Sequence, residues 1–431
     1  MNSRKELFIT GFGLFSLFFG AGNLLLPPLL GYNAGEKWLW VAVGFMITAV
    51  VIPIIGILAH AKLQGTLYDF GKKVSPQFSL IYCVLVYIIS IAIPSPRTAA
   101  ATHEIAIHPT FGTSPLLTSA IYFALVLVFV LNRSKILSFI GKFLTPLIVI
   151  MLLMVIGIGL FSSEMTTSAA QFETPIVSGI LEGYQTFDAI GAVVVGAVVI
   201  ISVNFRNKGN FEEKRSLIAK SGWIAGLGLF VIYAGLISVG AYYGSEIIIN
   251  SELSSDMQRA NLLRGISIDA LGSFGNTVLS ILLALACFTT AVGIVAGTAD
   301  YFKGLLGNSQ LVYIMTAIIS CVFGVIVGQL DFHSIIVIAY PVLLFIYPIT
   351  IVLIILNILP KRFATPLVFR AVVLITFIFS IPDVLGQVSP SDGLSNVTPY
   401  IPFAKHQLGW VLPAIVTCLG VGLLSKNNKA V

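Results

Sequence analysis

Two polar stretches interrupt long apolar runs in this 431-residue chain, and their residue types are those that bind ions and zwitterions. The first reads Ser16-Leu17-Phe18-Phe19-Gly20-Ala21-Gly22-Asn23, and the second Gly183-Tyr184-Gln185-Thr186-Phe187-Asp188-Ala189-Ile190-Gly191. Glycines weaken a helix, so each stretch is a place where one can unwind. Unwound backbone at membrane depth is tolerated only where it lines a cavity or a binding site. A carboxylate there is expensive unless paired, hydrated or neutral. Asp188 can therefore coordinate a cation, accept an ammonium group or carry a proton; equally, it can anchor a broken helix by hydrogen bonds.

The elements that must position these groups follow from composition. With 57% hydrophobic and only 10% charged residues, the chain lacks the roughly 25% charge that covers a soluble surface. Apolar runs of the length needed to cross about 30 Å of hydrocarbon recur along it, without the alternation of a barrel. Twelve spans are expected, at about 7–30, 38–59, 78–101, 115–131, 136–161, 176–205, 217–243, 273–299, 310–328, 334–358, 366–386 and 403–424. Placing the N-terminus in the cytoplasm puts Lys62, Lys72, Lys73, Arg133, Lys135, Arg206, Lys208, Lys214, Arg215, Lys220, Lys361 and Arg362 on the inner side, as the positive-inside rule requires. Both termini are then cytoplasmic, in a multi-pass cell (inner/plasma) membrane protein.

The first apolar run is too long for a signal peptide and is expected to stay in the mature protein. The longest loop, 244–272, has room for at most a surface helix. The net charge of +6 is spread over short loops, which points to topology and not to nucleic acid. Cys83, Cys287, Cys321 and Cys418 show no CxxC spacing, so neither a disulfide framework nor a metal knuckle is suggested.

The two interruptions fall in spans one and six. A repeat with that period is offset by five spans, and five is odd, so the second copy is inverted in the membrane. Interrupted helices at corresponding positions of two inverted halves are the sequence mark of a secondary transporter with a midplane site. Taken singly, Gly20, Gly22 and Gly191 also suit close helix packing. Arg97, near the outer end of span three, fits either an outer gate or an arginine snorkelling to the interface. The five histidines, His60, His103, His108, His333 and His406, are read as interface residues at span ends and in loops.

At these residues the sequence closely resembles the branched-chain amino acid:cation symporter family (BrnQ-like) along essentially its whole length. The resemblance is carried by Phe19-Gly20-Ala21-Gly22-Asn23-Leu24 with Pro27-Pro28, Pro94-Ser95-Pro96-Arg97-Thr98, Gly141-Lys142-Phe143-Leu144-Thr145-Pro146, and Glu182-Gly183-Tyr184-Gln185-Thr186-Phe187-Asp188-Ala189. More distantly it resembles the amino acid permease superfamily. That implies an all-α integral membrane protein with a leucine-transporter-like 5+5 inverted repeat and discontinuous helices one and six. Residues 1–161 and 162–360 would be the two repeats, and 361–431 the peripheral spans eleven and twelve.

The resemblance implies L-leucine, L-isoleucine and L-valine as substrates, in symport with a monovalent cation, and no cofactor. Free N–H groups at Ala21, Gly22 and Asn23, beside Gly20, would meet the carboxylate. Half-helix carbonyls, Thr186 and Tyr184 would meet the ammonium, and Phe187 the side chain. One methylene discriminates by only about 1–3 kcal/mol, so the three amino acids are expected to overlap. Ala286-Cys287-Phe288-Thr289-Thr290 resembles an Ala-x-x-Thr-Ser sodium pattern of the fold. It implies Na+ held by the Ala286 carbonyl and the Thr289 and Thr290 hydroxyls, completed by the carbonyls of Ser16 and Phe19. The two threonines can instead bond back to their own helix. Lys142 stands where a lysine replaces sodium in some proton-coupled permeases of the fold, so H+ coupling is the alternative; near the inner interface it can also simply snorkel.

An intramembrane enzyme would need a catalytic set. There is no HExxH, no GxSxG and no Cys/His cluster. A channel would need a repeated filter loop, and none is seen.

Overall fold

A computed structural model describes residues 3–132, 136–162, 166–206, 209–243, 255–388 and 400–427. Arg133, Lys135 and Lys208, part of the charge asymmetry, lie outside the described residues. The described residues are helices joined by turns, without a strand. In chain order the helices that matter here are α1 (Ser3–Phe18), α2 (Ala21–Ala34), α3 (Trp38–Met46), α4 (Ile52–Leu63), α5 (Pro76–Ala92), α6 (Pro94–Ala101), α7 (Pro115–Leu131), α8 (Thr145–Ser162), α9 (Pro175–Tyr184), α10 (Asp188–Arg206), α11 (Phe211–Tyr243), α12 (Ser255–Leu271), α13 (Ser273–Leu305), α14 (Gln310–Val327), α15 (Phe332–Ile358), α16 (Pro366–Val388) and α17 (Val411–Asn427).

Among the described residues, eight helices are long and apolar enough to cross a membrane, or nine if the bent pair α9 and α10 is one span. That pair turns by 41° at its break. Pro115–Leu131 and Val411–Leu424 are shorter apolar helices. The apolar helical stretch Ala21–Leu63 runs for 43 residues, about twice what one crossing takes, and a tight turn at Gly35–Lys37 divides it. The last expected span begins late. Phe403 and Gln407 adopt positive φ angles of 64° and 56° around a turn at Ala404–His406, and the helix starts only at Val411.

The outer faces of the bundle are apolar: Ile81, Ile319, Ile338 and Leu374 are each 60–63% exposed. Surfaces of that kind are stable against lipid and not against water. Inside, glycines bring backbones into contact. A Cβ on Gly31 would lie 1.9 Å from the Ile237 carbonyl oxygen, and one on Gly240 1.9 Å from that of Pro28, so α2 and α11 touch along their backbones. Gly44 and Gly179 do the same between α3 and α9, at 2.0 Å from the Ile176 oxygen and 2.2 Å from the Val41 oxygen. These contacts fix the half-helix on one side of each break against an unbroken neighbour.

Two histidines are not interfacial. His60 is fully buried with its ring nitrogens 3.0 Å from the Val193 oxygen and 3.2 Å from that of Gly65. His103 is also buried, its Nδ1 2.9 Å from the Thr118 hydroxyl. The helix expected to lie on the surface, α12, instead inserts Leu262, Leu263 and Ile266 into the core.

Candidate functional site

The first break falls at Phe19-Gly20. The α1 ladder ends with the Phe19 N–H donating to the Phe15 oxygen at 2.9 Å, and α2 restarts at Ala21 after an extended Gly20 (φ −116°, ψ −162°). The second break, Gln185–Phe187, includes a left-handed Phe187 at φ 64°, a strained backbone for an aromatic residue. Both interruptions read from the sequence are therefore real discontinuities, and each begins a new half-helix whose first N–H groups have no partner within the helix.

One network joins the two breaks. Asn23 Oδ1 accepts from the Gly20 N–H at 3.0 Å, while its Nδ2 donates to Asp188 Oδ2 at 2.7 Å and to the Tyr233 hydroxyl. The Tyr233 hydroxyl in turn donates to the same Asp188 oxygen at 3.2 Å. All three side chains are buried. The Asn23 side chain is thus committed to the scaffold, and one oxygen of Asp188 with it. On the far side of the break, Thr186 Oγ1 donates to the Gly183 oxygen at 2.7 Å and accepts from the Asp188 N–H at 3.3 Å. The Tyr347 hydroxyl accepts from the Ala189 N–H at 3.1 Å.

A second cluster lies where α1 meets α13. Thr289 Oγ1 is 2.8 Å from the Ser16 carbonyl oxygen, 3.0 Å from that of Ala286 and 3.1 Å from Ser16 Oγ. Thr290 faces Gly20, whose Cβ, if present, would sit 2.9 Å from Thr290 Oγ1. That hydroxyl is buried without a hydrogen-bond partner among the described residues. Ser16, Ala286 and Thr289 are therefore brought together, with Thr290 beside the break. Phe19 adjoins them through the end of α1, whose last carbonyls lack helical partners.

Between the two networks lies a cavity of about 40 Å³, lined by Leu17, Phe18, Ser90, Pro94, Thr186, Phe187, Asp188, Ile190, Gly191, Val194, Val195, Thr290 and Ile294. It takes a few waters, at about 10–15 Å³ each by this measure. Thr186, Phe187 and Asp188 line it as expected for substrate residues, whereas Ala21, Gly22 and Asn23 do not reach it in this conformation. Tyr184 does not line it either. It is 2% exposed and packs on Tyr347, ring centroids 4.5 Å apart.

The two outlying basic residues part company. Arg97 does not snorkel: it is 4% exposed, donates from Nη1 to the Gln185 carbonyl at 2.8 Å, and lies 4.6 Å from the Phe332 ring. It therefore ties α6 to the break between α9 and α10. Lys142 is exposed on the outside of the bundle, its ammonium 4.8 Å from the Phe143 ring, and takes no part in the Thr289 cluster.

Sequence reasoning missed Tyr233, Tyr347 and the Glu182–Arg259 ion pair. The pair is closed from α9 to α12, at 2.5 Å with side chains 17% and 7% exposed, and Gln185 Nε2 adds a bond to Glu182 at 2.9 Å. The available signal was Glu182 itself, an acid inside an apolar span that calls for a cationic partner. Removing one member leaves a buried charge without its partner, which costs about 3–5 kcal/mol. Arg259→Gln should lower the melting temperature in detergent clearly, and adding Glu182→Gln should recover part of it.

The sequence model of the family described as "Branched-chain amino acid transport protein" matches residues 3–428. The chain belongs to that family. Among curated relatives, the branched-chain amino acid transport system 2 carrier protein of Pseudomonas aeruginosa is 32% identical over 99% of this chain and 98% of its own. The branched-chain amino acid permease BraB of Bacillus subtilis is 34% identical over 96% and 94%. This is a family of transport proteins, not of enzymes, and with its several apolar helices the chain is a multi-pass membrane protein. Solved structures share the fold at low identity. A Na+-coupled sialic acid symporter superposes with a TM-score of 0.61 at 13% identity, covering 97% of this chain and 90% of that one. A nucleobase-cation-symport-1 family transporter, in a closed conformation, gives 0.63 at 12%, covering 98% and 93%. The chain thus has the leucine-transporter-like fold.

Proposed function

We propose that the protein imports L-leucine, L-isoleucine and L-valine across the cell membrane in symport with Na+, by alternating access. In this reading the chain crosses twelve times with both termini cytoplasmic. Residues 1–161 and 162–360 are inverted repeats around the site, and 361–431 are peripheral.

The observation that carries the coupling ion is the oxygen cluster of Ser16, Ala286 and Thr289 with the unpartnered Thr290 hydroxyl beside it. Oxygens gathered without an anion or a protonatable group suit a hard monovalent cation. Lys142, the residue that would favour proton coupling, faces away. The substrate carboxylate is assigned to the N–H groups of Ala21–Asn23 at the start of α2. The ammonium is assigned to Thr186 and the Asp188 carboxylate, and the side chain to Phe187 and the aliphatic wall. The cavity is too small for leucine as it stands, so the helices around the breaks must part to admit it.

Reconstituted in liposomes, the protein should accumulate labelled leucine under an inward sodium gradient, with isoleucine and valine competing. A proton gradient alone should drive none. Leucine uptake under neither gradient, from folded protein, overturns the reading; uptake under the proton gradient alone overturns its sodium half.

A further inference from the structure

Resting on that reading, we infer that Gly191 sets the size of the pocket and so decides which branched side chains are carried. Two glycines lie in α10, and their surroundings differ. A Cβ on Gly196 would come 2.2 Å from His60 Cδ2, so that glycine makes room for the histidine. A Cβ on Gly191 would meet only Phe18, at 3.7 and 3.9 Å, which is ordinary contact distance. Phe18 itself lines the cavity, as does Gly191. The missing side chain at 191 is therefore missing from the pocket and not from the packing of the bundle.

The neighbours make the same wall. Ile190, Val194 and Val195 line the cavity from α10, with Leu17 and Phe18 from α1 and Ile294 from α13. The polar groups Thr186, Asp188 and Thr290 are also part of its lining. An amino acid held by its charged end at the break of span six lays its side chain along this apolar wall, past position 191. A Cβ at 191 stands in this lining with only Phe18 beside it, so it adds its bulk to the wall along which the side chain lies. Gly191 also lies in a regular helical turn, its N–H bonded to the Phe187 oxygen at 2.7 Å, where alanine is the better helix former. A substitution there changes the pocket without a folding penalty to confuse the result.

The experiment measures uptake of leucine, isoleucine and valine by wild type, Gly191→Ala and the double variant Gly191→Ala/Val194→Ala in proteoliposomes, with melting temperature alongside. One methylene in an apolar pocket discriminates by about 10–200-fold. Gly191→Ala is expected to lower the leucine-to-valine and isoleucine-to-valine ratios of kcat/KM by about 10-fold or more, with melting unchanged or raised. Trimming Val194, one turn along the same wall, should return part of the leucine rate. Gly157→Ala is the control, because a Cβ there meets nothing within 4 Å. An unchanged ratio in Gly191→Ala overturns the inference, as does an equal loss for all three substrates. Absence of leucine uptake by the wild type overturns the functional reading instead.

Discussion

Thr290→Ala should weaken sodium dependence strongly while leaving the protein at least as stable as the wild type. The Thr290 hydroxyl is buried without a partner among the described residues, and a buried group of that kind detracts from stability. It is retained, on the present reading, because the ion satisfies it. Losing one oxygen from a charged ligand removes about 1.5–3 kcal/mol, so the sodium concentration for half-maximal uptake should rise by about 10–150-fold. Thr289→Val is the companion test. It removes the hydroxyl that bridges the Ser16 and Ala286 oxygens, and should lose both sodium dependence and some stability, because α1 and α13 lose a direct tie. If leucine uptake by Thr290→Ala keeps the wild-type sodium dependence, the assignment of this cluster to sodium fails.

The other large effect is expected at Asp188. One of its oxygens receives both Asn23 and Tyr233. In Asp188→Asn the amide oxygen can still accept those two bonds, while the amide nitrogen takes the place of the second carboxylate oxygen. The scaffold therefore survives and the charge does not. If that charge holds the substrate ammonium in a buried site, its loss is equivalent to breaking a buried pair, about 3–5 kcal/mol, and leucine uptake should fall at least about 100-fold with little change in melting. Asp188→Leu should lose uptake and stability together, since Asn23 and Tyr233 are then left buried with an unmet donor. Normal transport by Asp188→Asn would show that the carboxylate serves only as the anchor of the broken helix.

The sodium and ammonium assignments meet in one short region, because Gly20 faces Thr290 on one side and its N–H is held by Asn23 on the other. The Thr290 hydroxyl and the Asn23–Asp188–Tyr233 network therefore lie on either side of the same break. The Glu182–Arg259 pair and the Arg97 bond to Gln185 bear on the opposite side of the second break. The half-helix α9 and the turn after it are thus held by polar contacts to α12 and α6 and by glycine packing to α3.

Hydropathy, glycine content and a carboxylate in an apolar run are local properties, and they were enough to show an all-helical apolar chain and to locate both breaks, while the family was legible from the resemblance carried by the motifs around Gly20–Asn23, Arg97, Lys142 and Glu182–Ala189. The same locality explains the errors. Nothing near Arg97 in the chain indicates that it turns inward to the Gln185 carbonyl, and nothing near Tyr184 that its ring packs on Tyr347 outside the cavity lining. The partners of Asn23 lie 165 and 210 residues away, and that of Glu182 lies 77 away. Such pairings are decided by which helix faces meet, and those are set by backbone approaches at Gly31, Gly240, Gly44 and Gly179 that only the packed bundle reveals. The sequence by itself determined that this is a helical membrane protein with two unwound sites. Tertiary structure decided which of its polar residues face the pocket and which hold the pocket together, because an unpaired polar group is costly in a low-dielectric interior and most of the partners lie far away in the chain.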